Sequence, residues 1–390
     1  MVLGKWWQRE DRARGRYAPR LWPVWLAAPL WVAAASLMAW IIYLRLRAVA
    51  VPRPGPNGAP PSIDPLDVIK TTIAVAGFIG AVLVGVYAYR KQRLVEGDAH
   101  RADAKQLAQR YTTAAEQLGH EKAAVRLAGV YAMARLADDW DEQRQVCIDV
   151  LCAYLRMPYE PDPAREKQHE GEREVRHTII RLIRDHLQDP RVPTTWCGRH
   201  LDFTNATFNG GDFSGAEFSG GEVAFYGAKF IGGRVAFHGA KFTGGEVGFH
   251  GAKFIGGEVS FYRAEFTGGD LFFGGAEFGG SRVSFDDAKF AAGRVSIGAK
   301  FTGGGVSFNA KFTGGEVSFL GAEFAGGAVA FGAEFGGGTV SYGAKFVGGE
   351  VGFPAAKFTT DCNIIWGPFE APAAWTELQE RERQQNGPPR

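Results

Sequence analysis

Residues 244–261 read GGEVGFHGAKFIGGEVSF, and the second half nearly repeats the first. Within each short run the apolar residues alternate with others at a period of two, which is the spacing of a strand with one buried face. In Ala252-Lys253-Phe254 the alanine and the ring share one face and the lysine takes the other; Val259 and Phe261 repeat the arrangement. A strand of three residues cannot bury a phenyl ring by itself. The ring leaves water only if another copy stacks on it, so the repeat predicts a β-solenoid whose turns hold one another. Glycine pairs suit the corners, because tight turns need positive φ.

Twelve copies of the unit align. Ala stands two before the Phe of A-[K/E]-F in all twelve, from Ala228 and Phe230 to Ala356 and Phe358. The V-x-F valine is replaced once, by Leu271, and its ring twice, by Ile297 and Tyr342. Successive A-x-F rings are 12 apart up to Phe290, then 11, 11, 12, 11, 11 and 12. The shortened copies all lose a residue between the V-x-F ring and the next Ala (FNAKF against FHGAKF). A corner tolerates that loss; a strand would turn its side chains inside out.

The outward residue of A-[K/E]-F reads K K K E E K K K E E K K along the copies. Stacking each unit on its neighbour puts opposite charges together in four of eleven contacts, whereas stacking alternate units does so in eight of ten. Cross-strand charge pairs therefore reject a one-unit turn. A three-unit turn, with seven of nine, stays open. Two units give a four-sided turn of 22–24 residues and six turns from twelve copies. That is a rod of roughly 30 Å at a strand spacing of about 4.8 Å.

The stretch LDFTN-ATFNG-GDFSG-AEFSG, residues 201–220, resembles the pentapeptide-repeat family, whose motif is A-[D/N]-[L/F]-[S/T]-x with the large residue central. The resemblance implies a right-handed quadrilateral β-helix. The later copies depart from the motif, since V-x-F and extra corner residues stretch two pentapeptides to 11 or 12 residues. The chain also resembles an actinobacterial-type layout, with a membrane hairpin and a helical segment ahead of the repeats.

Composition sets the boundary of the repeat domain. Of 53 glycines and 29 phenylalanines, 39 and 27 lie between Phe203 and Phe358, and no proline occurs between Pro193 and Pro354. The expected divisions are a basic N-terminus (1–20), a transmembrane hairpin (21–90), an α-helical region (91–195), the β-helix (196–360), and a C-terminal cap with a disordered tail (361–390). The fold class is thus multidomain, with two transmembrane α-helices, a small α-helical region and a right-handed β-solenoid.

Residues 21–44, LWPVWLAAPLWVAAASLMAWIIYL, and 71–89, TTIAVAGFIGAVLVGVYAY, carry no charge. The first exceeds the ~20 residues that a helix needs to cross a bilayer, and Trp22, Trp25, Trp31, Trp40 and Tyr43 mark its ends as aromatic belts. A signal peptide fits less well, because the apolar run is too long and Arg45 and Arg47 follow it. Both stretches are expected to lie in the lipid bilayer. Six Lys/Arg in residues 1–20, with Arg90, Lys91 and Arg93 after the second stretch, put both termini in the cytoplasm.

Between residues 91 and 190 the apolar spacing becomes helical and predicts helices over 97–118, 121–137, 142–156 and 171–188. His177 and His186 lie nine apart, which suits structural roles better than a shared ligand. Four scattered cysteines make no disulfide framework and no paired Cys-x-x-Cys motif, and Cys197 with His200 lacks a second ligand pair.

No catalytic, cofactor-binding or metal-ligating residue is singled out, and no enzyme activity, cofactor or small-molecule substrate is expected. His238 and His250 are the repeat's histidines, and both occupy corner positions; no nucleophile–base pair is evident in the sequence. His120, Asp138, Asp139, Asp141 and His200 have no catalytic spacing. The glycine runs lack GxxxxGK[ST] and lead into strands, so they do not form phosphate loops. The expected function is a non-catalytic, membrane-tethered scaffold whose rod meets an unknown protein partner. Two alternatives remain: a membrane sensor using the helical region, and a DNA mimic that binds topoisomerase, as the resemblance implies. A mimic needs dense negative charge, but residues 203–358 hold 14 Asp/Glu against 12 Lys/Arg. The net charge of +2 also argues against nucleic acid as a partner.

Overall fold

The computed structural model describes residues 65–160, 166–354, 356–359 and 362–386, together with Ala33, Leu37, Trp40, Ile41, Leu44 and Arg45. The basic N-terminus, the connector and most of the expected first span lie outside the described residues. Two compact units divide the chain, Met1–Gln106 and Leu107–Arg390.

In the first unit, Ile73–Gln92 is a helical stretch of 20 residues with mean hydropathy 1.7, none of it buried against protein. Among the described residues it is the one segment long and apolar enough to cross a membrane. It coincides with the second expected span. The helix that contains it, α1, runs from Pro65 to Leu118 without interruption. The sequence predicted separate helices over 71–89 and 97–118. Charge begins at Arg90, but the residues after it include no proline, and the single Gly97 costs a helix only about 1 kcal/mol.

The second unit opens with helices α2 (Ala123–Asp139), α3 (Arg144–Arg156) and α4 (Glu166–His186), close to the expected bounds. Their apolar stripes meet at Val130, Met133, Ile148, Leu151, Val175, Ile179 and Ile183, all fully buried. This cluster continues without a break through Trp196 into the phenylalanines of the repeat.

From Leu201 onward the chain forms a β-solenoid of about seven turns. Every strand pairing is parallel, within one eleven-stranded and one ten-stranded sheet that face the two halves of each turn. Stacked residues are 22 apart at the first step, as in Phe208 on Phe230, then 24 apart, as in Phe230 on Phe254 and Phe254 on Phe278, and 22 or 23 apart later, as in Phe290 on Phe312 and Phe301 on Phe324. A turn therefore holds two units, and three are excluded. The count of six turns is corrected to about seven, because the opening pentapeptides make a turn of their own beneath the twelve copies.

The interior has four files of rings. One runs Phe208, Phe230, Phe254, Phe278, Phe301, Phe324, with centroids 4.5–5.1 Å apart and planes within 11° of parallel. Across the lumen the rings meet edge to face, as Phe249 meets Phe261 at 6.3 Å and 83°. The rings of the V-x-F positions thus have stacked partners along the axis and edge-on partners across it, as Phe249 does, and both geometries suit the aromatic quadrupole. Ile297 interrupts one file between Phe273 and Phe319 and is itself buried.

Two kinds of corner separate the strands. At most of the glycine pairs the second glycine takes positive φ and lies against the turn below. Gly257 has φ +77°, and a Cβ there would meet the Gly233 carbonyl oxygen at 2.3 Å. The other corner holds the deletions. In full-length copies it carries a left-handed residue, such as Gly239, Arg263 or Asp287; in FNAKF and FGAEF no left-handed residue remains. Beyond the last turn Trp366, Phe369 and Trp375 pack on Phe353 and Phe358. Within the segment 361–390, expected to hold a cap and a disordered tail, residues 373–386 form helix α5 (Ala373–Asn386), whose Trp375 packs against Phe358.

Two substitutions test this packing through chemical denaturation of the protein in mild detergent. Phe254→Ala is expected to destabilise the second unit by about 3–5 kcal/mol, the cost of an aromatic cavity. Tyr342→Phe is expected to stabilise it by about 1–2 kcal/mol, because the Tyr342 hydroxyl is buried without a partner. A Tyr342→Phe variant that unfolds more readily would contradict the ring file.

Candidate interaction surface

With the interior filled by rings, what the solenoid offers to other molecules is its outward rows. The [K/E] row follows the charge pattern: Lys241 stands over Glu265, Lys253 over Glu277, and Lys300 over Glu323. Lys311 and Glu334 approach to 3.4 Å and Lys300 and Glu323 to 3.9 Å, all well exposed. Such pairs contribute at most about 1 kcal/mol each. The row before valine also alternates at Arg234, Glu258 and Arg282 on the ten-stranded sheet, where Arg234 lies 3.8 Å from Glu258. On the eleven-stranded sheet it carries Glu222, Glu246 and Asp270 in succession before Arg294.

The helices close the N-terminal end of the rod. Each of the four pentapeptides of the first turn receives a contact from them. Arg156 bonds the Asp202 carboxylate and Arg184 that of Asp212. Arg176 donates to the Thr207 carbonyl at 3.1 Å, and the Glu217 amide donates to the Leu187 carbonyl at 2.7 Å. Arg176 is 4 % exposed, sits 4.6 Å over the Tyr159 ring, and also bonds the Leu155 carbonyl. Burial pushes its pKa down and Glu172 opposes that. Arg176 and the Leu187 carbonyl thus satisfy a carbonyl and an amide that the first turn has no lower neighbour to meet.

The histidines expected to be structural are placed as such. His177 Nε2 donates to the Asn209 carbonyl at 2.9 Å, and His186 stacks on Trp196 at 4.2 Å. Cys197 Sγ points to the Leu187 carbonyl, while His200 Nδ1 accepts the Glu222 amide, so the two serve different contacts. Among the described residues no group of three His, Cys, Asp or Glu is arranged to hold a metal. Burial pushes the thiols of Cys147 and Cys152 up to about 11 and about 12, and it raises that of Cys197 as well.

One pairing was illegible in the sequence. Ser260 Oγ lies 3.0 Å from His238 Nε2, because stacking brings residues 22 apart onto adjacent turns. It has the form of a nucleophile–base pair, which the sequence alone did not reveal. Its surroundings do not suit chemistry. Ser260 is 2 % exposed, and Arg234 occupies the same His238 nitrogen at 2.8 Å. Burial, then Arg234, lowers the His238 pKa. A cavity of about 10 Å³ between α4 and the first turn, beside Arg176, His177 and Asn209, has room for one water molecule.

Compared with family models, with curated proteins and with solved structures, the chain matches none.

Arg176→Ala would strip donors from the Leu155 and Thr207 carbonyls. It is expected to cost about 2–4 kcal/mol of unfolding free energy, and protease sensitivity should rise first around residues 201–220. Unchanged stability would show that the helices do not cap the rod.

Proposed function

We propose that the protein is a non-catalytic scaffold, tethered to a membrane by two helices, that presents its β-solenoid to protein partners in the cytoplasm. The observation that carries this reading is a rod filled by ring files from end to end, which leaves only side-chain rows on its surface for recognition. A stack of repeats is rigid along its axis and repeats its surface at each turn, which suits an extended partner. The four-sided turn and the motif of residues 201–220 support membership of the pentapeptide-repeat family, and with it a right-handed winding.

The tether rests on Ile73–Gln92 together with the uncharged run 21–44. Positive flanks at residues 1–20 and 90–93 put both termini on the cytoplasmic side. A duplex mimic would need long files of like charge, whereas eight of the ten stacked contacts in the [K/E] row join opposite charges.

Topology is testable because three native thiols are buried and Cys197 is half-buried. Gly58→Cys, in the connector, should react with a membrane-impermeant maleimide added outside intact cells, and Gln384→Cys only after lysis. The reverse labelling would overturn the orientation. The scaffold reading is tested by affinity capture in mild detergent with the whole protein and with residues 1–195. Partners retained equally by both would defeat it.

A further inference from the structure

The repeat is so uniform that its departures stand out, and several of them gather on one side. In the eleven-stranded sheet Glu222, Glu246 and Asp270 are in register on three successive turns. Like charges directly opposite one another in a sheet are destabilising. The equivalent row of the other sheet avoids this by alternating Arg234, Glu258 and Arg282. Asp270 has Arg294 at 3.9 Å. Among the described residues no lysine or arginine pairs with Glu222 or Glu246, which share the Tyr226 hydroxyl at 2.9 and 3.4 Å.

Beside these carboxylates runs a file of outward aromatic rings. Tyr226 meets His250 at 5.3 Å, and His250 meets Phe272 at 5.7 Å. Phe272 stands where the neighbouring turns have Gly248 and Ser296. The rings lie against the turn above: a Cβ on Gly248 would come within 2.2 Å of Tyr226 Cε1, and one on Gly274 within 3.0 Å of His250 Cδ2. The opposite corner also carries unusual residues, but they compensate one another, with Arg263 over Tyr262 and 3.8 Å from Asp287.

We propose that this side, with Glu222, Glu246 and Asp270 beside Tyr226, His250 and Phe272, is a docking strip for an arginine-bearing segment of a partner protein. The inference rests on the scaffold reading and names the chemistry of the partner. A guanidinium is flat enough to stack on an aromatic ring and forked enough to bridge carboxylates on adjacent turns, which a lysine ammonium is not. An approaching cation would relieve the like-charge file, so the strip gains from binding what it lacks when free.

The test uses the full-length protein in mild detergent with fluorescent octa-arginine and octa-lysine peptides, read by anisotropy. Octa-arginine should bind more tightly than octa-lysine. Glu222→Gln/Glu246→Gln should weaken octa-arginine by about tenfold or more without lowering the unfolding temperature, since it removes repulsion. Phe272→Ser should abolish the preference for arginine, while Glu258→Gln on the compensated row should change nothing. Equal affinity of the wild type and the double variant, or equal loss on Glu258→Gln, would overturn the proposal. If peptide binding fails while partner capture still depends on the repeats, the strip is refuted and the scaffold reading stands. If the strip binds but capture ignores the repeats, the scaffold reading is the one that fails.

Discussion

The second unit depends on one contact repeated along an axis, a phenyl ring lying on the equivalent ring of the next turn. No single strand here has enough length or area to fold alone, and many are two or three residues long. Burying a phenylalanine is worth about 1.5–3 kcal/mol, and a well-placed ring pair adds about 0.5–1.5 kcal/mol. Both terms require the neighbouring turn. Ala228, Val235 and their equivalents fill the space between the rings, and the glycine pairs let the backbone of one turn approach the next. The stability of this rod is therefore collective, and its weak points are its ends.

The ends are treated differently. The first turn has no ring file beneath it, and α3 and α4 supply polar donors and an apolar floor built on Trp196. At the far end Trp366, Phe369 and Trp375 cover most of the last rings, but Phe346 remains 48 % exposed. Its backbone keeps register with Phe324, yet the ring next to Phe324 is Phe369. The cap thus takes a position that the repeat would otherwise give to its own residue.

The solenoid was legible because its constraints are local and repeated. Period-two alternation fixed which side chains point inward, and the order of Lys and Glu rejected the one-unit turn before any register was known. What stayed hidden was long-range or lay at a junction. Nothing in LDFTN announces that Arg156 will bond Asp202, or that Arg184 will bond Asp212, because those partners are defined only by how helices settle on the first turn. Ser260 and His238 are unremarkable apart and meet only by stacking. The continuity of α1 was hidden because polarity changes at Arg90 while the helical backbone does not. The aromatic file of Tyr226, His250 and Phe272 was present in the letters, but Tyr226 and His250 follow the V-x-F ring while Phe272 precedes it. Only the turn-to-turn register brings them side by side.

The central claim is that two units make one turn, so that residues 24 apart lie side by side while those 12 apart face opposite ways. Paired cysteines measure this directly, since the native thiols are buried or shielded. Lys241→Cys with Glu265→Cys places two thiols in register on adjacent strands, and Lys241→Cys with Lys253→Cys places them on different sheets. Mild oxidation of the folded protein should link the first pair within the chain and leave the second unlinked. Rapid linkage of the second pair and none of the first would contradict the stacked two-unit turn, and with it the presenting surface that depends on it.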